Sequence, residues 1–156
     1  RQNLYPEAIQ LAEQALQLLP TDDPEKAFSY FVFGMVAFDV RDWDKAIKHH
    51  KQAIRLWETT NDERMMGRTL ITLGGCYTQK GELHMARQKI QVGINFLSKT
   101  QDLGYLAIAQ MNLGNVYLYQ EAYDEALNSY GLAYSILKEM GDIFHLGHVQ
   151  QNIGLV

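Results

Sequence analysis

The feature that most constrains this chain is a repeat, with a period of about 40 residues, that runs through nearly all of it. A glycine opens the pattern, two small residues seven apart follow, and an aspartate ends each unit. The glycines are Gly34, Gly74, Gly114 and Gly154; the small residues are Ala46, Ala86 and Ala126 with Ala53, Gly93 and Ala133; the aspartates are Asp62, Asp102 and Asp142. A period of this length predicts one small structural unit that stacks on the next along the chain.

Each unit is predicted to form two helices joined by a short turn. Apolar residues recur at the i, i+3, i+4 and i+7 spacing of a helix, and no proline follows Pro24. A glycine inside a helix costs about 1 kcal/mol relative to alanine, so its recurrence predicts that a partner helix approaches closely there. We expect turns within hairpins at residues 41–42, 81–82 and 121–122, and turns between hairpins at residues 60–62, 100–102 and 140–142.

Composition excludes several classes of function. The net charge is -4 and the Lys and Arg residues are scattered, which argues against contact with nucleic acid. Cys76 is the one cysteine, so neither an internal disulfide nor a cysteine-based zinc site can form, and we expect an inert thiol in a cytoplasmic protein. No apolar run approaches the roughly 20 residues that cross a membrane. Because Arg1 opens the sequence, we expect a piece of a longer polypeptide.

The repeated positions resemble the tetratricopeptide repeat (TPR) family, whose signature runs Leu-Gly, then Tyr, then Ala on two antiparallel helices. The matching residues are Leu73, Gly74, Tyr77 and Ala86 in one unit and Leu113, Gly114, Tyr117 and Ala126 in the next. The resemblance implies an all-α fold, a right-handed superhelical solenoid of antiparallel helix pairs. The period is longer than the roughly 34 residues usual for the family, and is similar to that of peptide-binding scaffolds and of helical-repeat arms in large bacterial regulators.

We expect residues 1–156 to form a single array of such repeats. Residues 1–20 are predicted to be the second helix of a partial repeat, and residues 143–156 the first helix of a truncated one. Residues 24–62, 63–102 and 103–142 are predicted to be full repeats. A solenoid needs polar caps at its ends, and their absence from this sequence predicts weak self-association through the uncapped ends.

The resemblance also implies a binding groove, because the first helix of each TPR pair lines a concave face. The side chains expected there follow one stripe of each first helix, together with two asparagines beside it. They are Phe28, Phe31, Met35, Phe38, Arg68, Ile71, Thr78, Ile108, Met111, Asn112, Asn115, Leu118, His148, Gln151 and Asn152. This mixture suits an amphipathic helix or an extended peptide with apolar anchors. An aromatic and methionine stripe is equally typical of a helical core, and both interpretations remain open here.

No pattern points to catalysis, a cofactor or a metal. Gly74-Gly75 lacks the Gly-Lys-Ser of a phosphate-binding loop. His145 and His148 share a helical face near Asp142, but surface imidazoles explain that spacing. We therefore expect a protein-interaction module that binds a peptide or partner protein and is not an enzyme. One alternative is a sensor or regulatory arm of a signalling ATPase or transcriptional regulator that binds a small ligand or signalling peptide. Another is a spacer or oligomerisation surface.

Overall fold

A computed structural model describes residues 5–20 and 23–156, so residues 1–4 of the first predicted unit lie outside the described residues. Every regular element in the described part is a helix. The helices are α1 (Tyr5–Leu18), α2 (Lys26–Asp39), α3 (Trp43–Thr60), α4 (Glu63–Gln79), α5 (Leu83–Thr100), α6 (Leu103–Tyr119), α7 (Tyr123–Met140) and α8 (Ile143–Ile153). Within these residues no helix is both long and apolar enough to span a membrane.

Consecutive helices pack as hairpins, and the hairpins stack. The most extensive contacts join α2 to α3, α4 to α5 and α6 to α7, and α1 and α8 pack against α2 and α7. The short turns between partners make each pair antiparallel. The prediction of an all-α solenoid of antiparallel helix pairs is confirmed.

Aspartate side chains cap the starts of α4, α6 and α8, whereas α2 follows Glu25 without a side-chain cap. The Oδ1 atom of Asp62 accepts a hydrogen bond from the backbone N–H of Met65 at 2.9 Å, and Asp142 caps α8 in the same way. Such a cap satisfies one of the amide groups that a helix start leaves without a partner. The preceding residue adopts a left-handed conformation, with φ of 53° at Asn61 and 70° at Gly141. The recurring aspartate therefore marks where α4, α6 and α8 begin.

Three of the four recurring glycines, Gly34, Gly74 and Gly114, lie against a side chain of the partner helix in their hairpin, whereas Gly154 follows α8 and has only backbone oxygens of its own segment nearby. A Cβ atom on Gly74 would lie 2.5 Å from Cγ1 of Ile90, which is fully buried. His50 stands at the matching place beside Gly34, and Tyr130 stands beside Gly114. Nothing larger than hydrogen can occupy these positions without displacing the partner side chain, so the close approach predicted from the sequence is confirmed.

The first helices of neighbouring hairpins form the inner layer of the array. Besides contacting its own partner, α4 contacts α2 and α6, whereas no comparable contact joins α3, α5 and α7 in the described part of the chain. A stack whose units are closest along one layer curves toward that layer. The helices α2, α4 and α6 therefore line the concave face, and α3, α5 and α7 form the convex face.

Candidate functional site

Three of the side chains predicted to line the groove belong to the core instead. Phe31 is buried, Thr78 is buried with its hydroxyl donating to the carbonyl oxygen of Gly74, and Ile71 is completely inaccessible. Ile71 is buried because it packs against α5, where its Cδ1 lies 2.7 Å from where a Cβ of Gly93 would be. Its side chain points across the hairpin into α5. We remove these three residues from the candidate groove.

The remaining apolar residues of the predicted stripe are at least partly exposed. Phe28 is 56% exposed, and the other five are half-buried. Those five are Met35, Phe38, Ile108, Met111 and Leu118. The Phe38 ring lies beside Gly75, with Cε2 3.5 Å from where a Cβ would be. The aromatic ring of α2 therefore packs against the backbone of α4, where glycine has no side chain. These side chains give the concave face an apolar surface open to contact.

Asparagine side chains connect the first helices along the same face. Asn115 Oδ1 accepts a hydrogen bond from the Tyr130 hydroxyl at 2.7 Å and a longer one from Nδ2 of Asn152 at 3.4 Å. Asn112 Nδ2 donates to the backbone carbonyl of Ile71 at 3.4 Å. The amide nitrogen of Asn115 and the amide oxygen of Asn112 have no partner among the described residues. Both atoms are therefore available to a bound backbone.

Arg68, another predicted groove residue, is held in a charged cluster. Its Nε donates to Oδ2 of Asp102 at 2.6 Å, and Arg64 Nε reaches the same oxygen at 3.0 Å. The Arg68 guanidinium also lies 4.7 Å from the ring centroid of Tyr105. Burial alone raises the pKa of Asp102, but the hydrogen bonds from Arg68 and Arg64 outweigh it, so the pKa is lowered. The pairing of Arg64 with Arg68 is visible in the sequence, whereas their shared carboxylate is not.

Truncation of Arg68 tests whether this cluster stabilises the stack. We expect Arg68→Ala to lower the free energy of unfolding by about 1 kcal/mol, because a nearly buried carboxylate loses one of two charged donors. Urea unfolding followed by circular dichroism measures this. Arg87→Ala, an exposed residue of α5 without an ion pair among the described residues, serves as the control. Equal stability of both variants would contradict a structural role for the cluster.

The last helix contributes exposed polar groups. His148 and Gln151 are exposed, and Asn152 is half-buried beside Asn115. His145 Nδ1 lies 2.6 Å from Oδ2 of Asp142, a contact that belongs to the start of α8. Over residues 5–20 and 23–156 no three metal-ligating side chains come together. His148 and Gln151 remain candidate groove residues, and no metal role is assigned to the histidines.

Cys76 lies in the core of the array rather than on any surface. Its side chain is completely buried, and burial raises the pKa of the thiol to about 12. The thiolate is the reactive form of cysteine, so this residue is protected from thiol chemistry while the protein is folded. Cys76 therefore contributes to the packing of α4 against the neighbouring helices.

A curved stack of helix hairpins, with glycines where the paired helices touch and aspartates at the helix starts, defines the class of tetratricopeptide-like arrays. Within that class the chain belongs to the family of MalT-like TPR regions, whose model matches residues 1–151. No curated protein matches the sequence.

Solved structures of three other proteins have a similar fold. Aspartyl phosphate phosphatase F from Bacillus subtilis superposes with a TM-score of 0.80 at 18% identity, covering 96% of this chain and 40% of that one. BtubC (BKLC) from P. vanneervenii gives 0.80 at 18% identity over 98% of this chain and 65% of that one. The apo form of RapI also gives 0.80 at 18% identity, over 98% of this chain and 57% of that one. This chain thus spans between 40% and 65% of their lengths, and the likeness concerns the fold.

Proposed function

We propose that this chain is a protein-interaction module that binds a peptide or a segment of a partner protein on its concave face. The observation that carries the proposal is the combination on that face of partly exposed apolar side chains with unpaired amide atoms. Phe28, Met111 and Leu118 represent the first group, and Asn112 and Asn115 the second.

The chemistry of the face favours a peptide over a purely apolar ligand. Methionine and aromatic side chains adapt to varied apolar anchors. An amide side chain can both donate to and accept from a peptide backbone. Asn112 and Asn115 lie on α6 between apolar neighbours, so one ligand could use both kinds of contact. We assign no catalytic step to this face.

A groove variant tests the proposal. We expect Phe28→Ala, Met111→Ala and Leu118→Ala together to weaken peptide binding by about tenfold or more, because truncating buried anchors removes most interface energy. Peptides are first selected from a displayed random library with the unaltered chain, and affinities are then measured by calorimetry. The control combines Leu127→Ala and Leu132→Ala, two residues of α7 that are 42% and 48% exposed. Undiminished binding by the groove variant, or an equal loss in the control, would contradict the proposal.

A second candidate is the sensor arm of a larger regulator. It is favoured by the match to MalT-like TPR regions and by neighbours that are longer than this chain. The mechanism would use the asparagine contacts between α4, α6 and α8, since a ligand that competes for Asn112 or Asn115 changes how these helices pack. In the full-length protein, Asn115→Ala should then alter the response of an attached domain to its ligand. A response identical to that of the unaltered protein would reject this candidate.

A further inference from the structure

A groove lies on the convex face of the described residues, opposite the proposed peptide site. It has a volume of about 880 Å³ and runs between α3 and α5, with α4 as its floor. Apolar side chains from all three helices form its surface. They are Ile54, Trp57, Met66, Leu70, Leu73, Val92 and Phe96. The groove is separate from the concave face, because the first helices lie between them.

Charged residues are distributed unevenly along this groove. Lys51 and Lys89 line it toward one end and Arg55 lies near its middle, and none of the three forms an ion pair with a described residue. Glu58 and Glu63 line it toward the other end, where α3 turns into α4. Three basic groups without carboxylate partners beside an apolar surface are complementary to a ligand that is apolar along one side and acidic at one end.

The shape of the groove matches a helix. From Lys51 to Asn61 the wall formed by α3 is about 15 Å long at roughly 1.5 Å per residue, which is close to three helical turns. Its two walls are helices that flank a third, so the space is a trough open along its length. An amphipathic helix places side chains i, i+3, i+4 and i+7 into such a trough.

The charge pattern is not repeated in the next groove of the array, between α5 and α7. One repeat after Lys51, Arg55 and Lys89 stand the uncharged residues Gln91, Asn95 and Ser129. On the floor, Leu70 is replaced by Gln110. A charge pattern needed for stacking would recur in every unit. Because this one occurs between α3 and α5 and is not repeated between α5 and α7, it indicates recognition rather than repeat architecture.

We propose that the groove between α3 and α5 binds an amphipathic helix of a partner protein that carries carboxylates at one end. Its apolar side chains pack against Trp57, Val92 and Phe96. Its carboxylates lie beside Arg55 and Lys89. The site is independent of the concave face, so the chain can hold two partners at once.

The experiment uses Trp57 as its reporter. The chain has two tryptophans, and Trp43→Phe leaves Trp57 in the groove as the only one. A displayed library of helical peptides with one apolar face and randomised charges is selected against this variant. We expect enrichment of peptides with clustered Glu or Asp near one end of the helix, and a change in Trp57 emission when they bind.

Two matched pairs of variants locate the binding site. Val92→Asp should weaken binding of the selected peptides by about tenfold or more, because it brings a charge into the apolar contact. Leu132→Asp, at the equivalent exposed place in the next groove, should not. Arg55→Glu with Lys89→Glu should cause a similar loss that shrinks at high salt, while Asn95→Glu leaves binding unchanged.

Three outcomes would overturn the proposal. The first is the absence of enriched acidic helices. The second is binding that survives Val92→Asp and the double charge reversal in chains whose circular dichroism is unchanged. The third is self-association of the chain, seen by sedimentation, that Val92→Asp abolishes and Leu132→Asp leaves intact. That result would assign the groove to a second copy. Loss of binding in the concave-face variant alone would leave this proposal standing.

Discussion

Between pH 7 and pH 4 the protein is expected to lose about 3 kcal/mol of stability through the single side chain of His50. This histidine is completely buried in α3 against Gly34, and neither of its ring nitrogens has a hydrogen-bond partner in the described part of the chain. Burial, with a smaller contribution from the charge of His49, lowers its pKa from 6.5 to about 3.

The direction of this pH effect follows from the lowered pKa. Above pH 6.5 the imidazole is neutral in both folded and unfolded chains, and the full stability is present. Below that pH the imidazole of His50 is protonated in the unfolded chain but stays neutral in the folded chain. The free energy of unfolding therefore falls until the pH reaches about 3. The pKa of His49 is also lowered, mainly by burial, and adds in the same direction. The lowered pKa of Asp102 acts only below about pH 4.

Urea unfolding at a series of pH values measures this dependence. His50→Ile provides the matched variant, because Ile90 occupies the equivalent position beside Gly74. We expect His50→Ile to flatten the profile between the ordinary histidine pKa of 6.5 and about pH 4. His84→Gln, at an exposed position of α5, serves as the control and should leave the slope in place. An unchanged slope in His50→Ile would show that His50 is not the group responsible.

Alanine in place of two helical glycines should change stability in opposite directions. Gly74→Ala should destabilise the protein by about 2 kcal/mol, since a Cβ would lie 2.5 Å from Cγ1 of Ile90 and that side chain has no free space to move into. Gly131→Ala should stabilise it by about 1 kcal/mol, because Gly131 lies inside α7 with nothing within 4 Å of the added atom.

Thermal and urea unfolding of the two single variants and the double variant test this pair of effects. Both residues lie inside helices and receive the same methyl group, so each serves as the other's control for helix propensity. The two changes lie in different hairpins and should add. Destabilisation by both, or stabilisation by both, would contradict the conclusion that contact with the partner helix determines the sign.

The sequence allowed the fold to be predicted because its constraints are local and repeated. Helix periodicity, the aspartate caps and the glycines each act within one hairpin, and three copies of the pattern made their spacing visible. The prediction of the candidate site was less complete. Phe28 and Phe31 belong to the same predicted stripe on adjacent turns of α2, yet Phe28 is 56% exposed and Phe31 is buried. Which of two residues on adjacent turns of a helix is exposed depends on where the neighbouring helices lie. The repeat pattern alone does not specify those positions.

What the sequence by itself determined was the set of hairpins, their ends and the positions of closest approach, since hydrogen bonding and side-chain size within a single repeat specify them. The tertiary structure alone decided which surfaces stay open. It paired Arg68 with Asp102, joined Asn115 to Asn152, and left a trough between α3 and α5. Those outcomes depend on how one hairpin is displaced and rotated relative to the next, and contacts between residues of different hairpins set that geometry.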